Sequence, residues 1–75
     1  MNKQTFITLR SQTHAIKARK LLAAVGIQAR VVKATGEAAE LGCGYGVSVN
    51  DTDTKRAAEY LRNKNIPPLR LFKAN

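Results

Sequence analysis

Seventy-five residues, 44% of them apolar, suffice for one small domain near the lower size limit for a self-sufficient core, expected here to span residues 1–75. Thirteen Lys and Arg against five Asp and Glu give a net charge of +8, which permits an anionic partner, but no basic run is longer than a pair. No apolar run approaches the roughly 18–20 residues of a membrane span, and the N-terminus lacks the apolar stretch of a secretion signal.

In chain order, Gln4 to Leu9 ("QTFITL") alternates with period two, Thr5, Ile7 and Leu9 against Phe6 and Thr8, and reads as a first strand. "SQTHAIKARKLLAAVG" follows with helical spacing, capped by Ser11 or Thr13 and stopped by Gly26. Ala15, Ala18, Leu21, Leu22 and Val25 share its apolar stripe, while Lys17 and Lys20 point away. "QARVVKA" is a second strand, with Ala29 and Val31 opposed to Arg30 and Val32, and "YGVSVN" a third, with Tyr45, Val47 and Val49 on one face. A second helix is expected from about Asp53 to Asn63, capped by Asp51 or Asp53, with Ala57, Ala58 and Leu61 as its apolar side. Pro67 and Pro68 break it, and "LRLF" ends the chain as a short strand in which Leu69 and Leu71 alternate with Arg70 and Phe72.

This order, β-α-β-β-α-β, predicts an α+β, ferredoxin-like domain: a four-stranded antiparallel sheet covered on one face by two helices. The uncovered face would carry Phe6, Arg30, Val32, Ser48, Arg70 and Phe72. That face is half apolar and the core is small, so a homodimer is expected.

Cys43, the only cysteine, stands in "ELGCGYGVSV" between Gly42 and Gly44, with Gly46 two residues further. A single cysteine can form neither an internal disulfide nor a thiolate metal cage by itself. A free thiol in a reducing, cytoplasmic setting is expected, with no metal and no cofactor. Three glycines in such a short stretch call for a turn, a close backbone approach or an accessible thiol. The loop "ATGEAAELG" is longer than the usual hairpin connection of about 2–5 residues. In the predicted topology it meets the exit of strand one and the start of helix one, so Cys43 would lie near Arg10, Ser11, Thr13 and His14. A helix N-terminus and nearby cations favour a thiolate, the form that attacks sulfur, selenium or an electrophile. Glu37 and Glu40 would oppose this if they came close. The plain alternatives are a buried structural cysteine, a packing histidine and ordinary caps at Ser11 and Thr13.

"FITLRSQTHAIKARKLLAAVGIQARVV", followed by "LGCGYGVSV", resembles the small prokaryotic selenium/sulfur carrier protein-like family over roughly residues 5–62. The resemblance implies Cys43 as the site of a persulfide or perselenide, with Ser11 and His14 in the facing turn, and a donor or acceptor protein as partner. It implies a carrier rather than a stand-alone enzyme. Better-understood sulfur carriers present their sulfur from a Cys-Pro-x-Pro step opening a helix, whereas here Cys43 precedes a strand and Pro67-Pro68 lies far downstream.

A second reading is nucleic-acid binding. "CGYGVSVN" partly matches the third-strand RNA-binding motif of RRM domains at Gly44, Tyr45 and Gly46. Parity opposes that match, because Tyr45, Val47 and Val49 would all turn away from the core and leave only Gly46 and Ser48 to fill it. Phe6, Arg30, Arg70 and Phe72 remain as an open-face alternative. A non-catalytic dimerising regulatory module is a third reading.

Overall fold

Two strands of alternating residues form the middle of the structure, β1 (Gln4–Leu9) and β3 (Tyr45–Asn50), paired antiparallel with Ile7 opposite Val47. The computed structural model describes residues 3–33 and 44–73. Around the central pair stand α1 (Gln12–Ala24), β2 (Ala29–Lys33), α2 (Thr54–Asn63) and β4 (Arg70–Lys73), with a 3-10 turn over Asp51–Asp53. The elements follow the expected βαββαβ order, and the strands lie as β2-β3-β1-β4, every neighbouring pair antiparallel.

The alternation expected of β1 and β3 holds for their apolar residues, whereas on β4 the expected inward Leu71 is exposed and Phe72 is half-buried. Ile7, Leu9, Val47 and Val49 are buried in one cluster with Ala15, Ala18 and Leu22 of α1 and Ala57 and Leu61 of α2. Thr5 shares their parity and is also buried. Its hydroxyl donates to Asp51 Oδ1 at 2.9 Å, which satisfies a polar group the core would otherwise penalise.

Both helices end in the same way. Val25 fits the apolar stripe of α1 by spacing, but it is 42% exposed and serves as the C-cap. The next residue, Gly26, takes φ +80°, its N–H donates to Ala23 O, and the Ile27 N–H donates to Leu22 O at 2.9 Å. This is a Schellman motif: it folds the chain back so that Ile27, not Val25, packs beside Leu22 in the core. In α2, Asn65 plays the glycine's part at φ 63°, with Asn65 N–H to Arg62 O and Ile66 N–H to Leu61 O. The helix thus stops before Pro67 and Pro68 are reached.

At its other end α2 departs from expectation, because neither Asp51 nor Asp53 caps it through a side chain. The Asp51 carboxylate is engaged by Thr5, tying the turn after β3 to β1. A second tie, from the Asp51 N–H to Lys3 O at 2.8 Å, extends the β1–β3 pairing by one step. On β4 and the residue before it, Leu71 and Leu69 are 47% and 54% exposed.

Gly46 lies inside β3, opposite Thr8 and Val32. A Cβ there would collide with the Ile7 carbonyl and stand 2.6 Å from Cε1 of Phe6. At Gly44 a Cβ would meet nothing among the described residues. Gly46→Ala should therefore lower the unfolding free energy by about 1–3 kcal/mol through overpacking. Gly44→Ala should change it by no more than about 0.5 kcal/mol. Urea denaturation of the two variants checks this; equal effects would mean that the β1–β3 approach is not the constraint.

Candidate functional site

The register places three chain segments at one end of the sheet. Leu9, the last residue of β1, faces Tyr45, the first of β3, and Tyr45 faces Lys33, the last of β2. Arg10 and Ser11 leave β1 there and lead into α1, while Gly44 enters β3. The residues that flank the β2–β3 loop, Lys33 and Gly44, thus lie at the end where β1 leaves the sheet.

Ser11 holds the turn. Its backbone is extended, with φ −157° and ψ 169°, and its Oγ accepts from the His14 N–H at 3.2 Å, the geometry of a helix N-cap. The same Oγ lies 2.9 Å from His14 Nδ1. When the hydroxyl donates to Nδ1, a neutral His14 ring carries its proton on Nε2, which becomes the nitrogen open to another group. His14 is half-buried, whereas Arg10 and Thr13 are exposed. Of the two caps considered, the structure uses Ser11; Thr13 lies in the first helical turn.

Asp and Glu normally collect in a first turn because they offset the positive end of the helix dipole. The first turn of α1 holds none. Arg10 and Lys33, both exposed, add positive charge at the same end of the sheet. The thirteen-residue helix thus begins, with no acidic side chain in its first turn, at the sheet end where β3 also begins. Lys33 was not among the residues expected at this end; its place opposite Tyr45 becomes visible only once the β2–β3 register is known.

Cys43 and Gly42 lie outside the described residues, as do Glu37 and Glu40. Gly44 is exposed. Gly46, grouped in the sequence with the loop glycines, belongs to the sheet: it is buried in β3, where Phe6 and the Ile7 carbonyl leave no room for a side chain. Elsewhere, Phe6 and Phe72 are cross-strand partners with ring centroids 6.4 Å apart, and Arg30 and Arg70 are exposed on the outer strands β2 and β4. None of these four belongs to the Leu9–Tyr45–Lys33 row beside Ser11.

The family model described as "Putative Se/S carrier protein-like" matches residues 4–73 of the 75-residue chain. The chain belongs to this family. The match takes in every described element from β1 to β4, and with them the turn carrying Ser11 and His14. No curated protein and no solved structure matches the chain. Within the described residues no helix is long and apolar enough to cross a membrane.

Because Ser11 satisfies a helical N–H that has no intrahelical partner, Ser11→Ala should cost about 1 kcal/mol of stability. His14→Ala keeps the backbone N–H and the cap, and should cost less than Ser11→Ala. Urea denaturation separates the two; a larger loss for His14→Ala would mean that the ring, rather than the cap, holds the turn.

Proposed function

We propose that the chain is a sulfur or selenium carrier in which Cys43 holds the transferred atom as a persulfide or perselenide. The observation that carries this reading is the acid-free N-terminus of α1 at the sheet end where Gly44 enters β3. Cys43 is one peptide bond before Gly44, about 3.8 Å between Cα atoms. The family to which the chain belongs supports the same chemistry.

A thiolate, not a thiol, is the nucleophile and the stable carrier form. Positive potential from the helix terminus, Arg10 and Lys33 would favour the anion, both as Cys–S⁻ and as the loaded Cys–S–S⁻. Ser11 and His14 act as positioning residues, fixing the first turn of α1 and leaving Nε2 available as a hydrogen-bond donor to the anion. In the loading step the Cys43 thiolate attacks the terminal sulfur of a donor persulfide. The donor S–S bond breaks, a new S–S bond forms at Cys43, and the donor departs as a thiolate. In delivery, an acceptor nucleophile attacks the terminal sulfur and Cys43 leaves as the thiolate. No external oxidant or reductant enters either step, and the same balance holds for selenium. The partners are therefore proteins with a nucleophilic or persulfide-bearing cysteine. The reading takes the domain to be ferredoxin-like, with both helices on one face of the sheet, and to act in the cytoplasm as an accessory carrier.

Incubated with a cysteine desulfurase and cysteine, the protein should gain the mass of one sulfur atom, and a reductant should remove it. Cys43→Ser should keep the circular dichroism and melting behaviour of the parent and gain nothing. Equal sulfur uptake by Cys43→Ser, or loss of its fold, would contradict the reading.

A further inference from the structure

The outer face of the sheet carries a second arrangement that the carrier reading does not use. One row runs across all four strands: Arg30 on β2 faces Ser48 on β3, Ser48 faces Phe6 on β1, and Phe6 faces Phe72 on β4. The two phenyl rings form a tilted pair, centroids 6.4 Å apart with 32° between planes, and both are half-buried rather than enclosed. Small residues border them. Gly46 has no side chain, and the Thr8 hydroxyl is turned to the backbone of Arg70, accepting from its N–H at 2.9 Å. On β1 the neighbour Gln4 is turned to Ser48 and Asn50.

At the β2 side this row opens into a groove of about 670 Å³. Arg19 and Lys20 of α1 and Arg30 of β2 line it, and no carboxylate among the described residues does. Its floor is an ordered polar chain: Ser48 Oγ donates to Gln4 Oε1 at 2.9 Å, and Gln4 Nε2 donates to Asn50 Oδ1 at 2.8 Å. Read in that direction the chain ends on the amide N–H groups of Asn50, donors suited to an oxygen acceptor.

The charge along the sequence is divided in a way that supports this face. Residues 3–33 contain seven Lys and Arg (Lys3, Arg10, Lys17, Arg19, Lys20, Arg30 and Lys33) and no Asp or Glu. All five acidic residues lie at position 37 or beyond. The basic groove is thus built wholly from the acid-free part of the chain, except for Ser48 and Asn50.

We infer that this face binds single-stranded nucleic acid, with phosphates in the Arg19–Lys20–Arg30 groove and bases against Phe6 and Phe72. The occupant follows from charge and shape together. A cationic groove selects a polyanion, and accessible aromatic rings beside it select one whose flat bases are not already stacked in a duplex. A second copy of this chain fits less well. On this face it would bring Arg30 and Arg70 against their own like, with no carboxylate among the described residues of the face to offset them. The site lies across the sheet row from Arg30 to Phe72 and does not include the Leu9–Tyr45–Lys33 end, so it is independent of sulfur loading.

The test is fluorescence anisotropy with labelled oligouridylate and oligothymidylate, at several salt concentrations, using wild type, Cys43→Ser, Arg30→Gln and Phe72→Leu. Wild type and Cys43→Ser should bind alike, and more weakly as salt rises. Arg30→Gln should weaken binding and lower the logarithmic salt slope by about 0.7, the contribution of one phosphate on a single strand. Phe72→Leu should weaken binding about five- to a hundredfold, the effect of losing one stacked base, with the slope unchanged. Thermal melts confirm that each variant is folded, and the exposed Arg30 leaves the test intact should Phe72→Leu be unstable. Salt-dependent binding that Phe72→Leu leaves unchanged would overturn the inference, leaving a plain cationic patch. So would an absence of binding, including the case where sedimentation shows a dimer that Phe72→Arg dissociates.

Discussion

The close approach of β1 and β3 at Gly46 governs the layout of the whole sheet. Where any other residue would place a Cβ, the Ile7 carbonyl and the Phe6 ring already stand. Only glycine admits that approach, and the approach locks the register in which Ile7 meets Val47 and Leu9 meets Tyr45. A slip of β1 by one residue would turn Ile7 and Leu9 out of the core together. With so few large side chains buried, a domain of this size could not tolerate that loss.

The same register has two consequences at opposite places. At the end of the sheet it brings the exit of β1, and hence the Ser11 cap of α1, beside the entry of β3. There the acid-free first turn of α1 and the cations Arg10 and Lys33 share the sheet end at which Gly44 enters β3. On the outer face it lays Phe6 over Gly46 and next to Phe72, in line with Ser48 and Arg30. The two proposals, a sulfur or selenium anion at one place and a polyanion at the other, thus rest on one register.

Much of this was legible in the residues themselves. Alternation in "QTFITL" and "YGVSVN" and the apolar spacing of Ala15, Ala18 and Leu22 identified strands, helix and core side, because period two and period 3.6 reflect backbone geometry directly. The failures came where tertiary contact overrode a local preference. Asp51 looked like a helix cap but is taken by Thr5, a residue 46 positions away. Val25 fitted the apolar stripe by angle, yet the Schellman turn ends the helix before it and gives its place to Ile27. Asn65 ends α2 by adopting a left-handed conformation, a choice less conspicuous in sequence than a glycine. The three glycines around Cys43 looked like one motif. Gly46 is there for strand packing, and only Gly42 and Gly44 remain to be explained by the thiol. The segregation of charge was present in the sequence but became meaningful only when Arg19, Lys20 and Arg30 were found around one groove.

The central claim is that Cys43 belongs to an electropositive site where it exists as a thiolate. The pH dependence of its alkylation by iodoacetamide tests this most directly, since a chain with one thiol reports one titration. A thiolate in an electropositive site should titrate with a midpoint below about 7, against roughly 8.5 for a free cysteine, and label as fast as an exposed thiolate. Slow labelling with a midpoint at or above about 8.5 would show a buried structural cysteine and would contradict it.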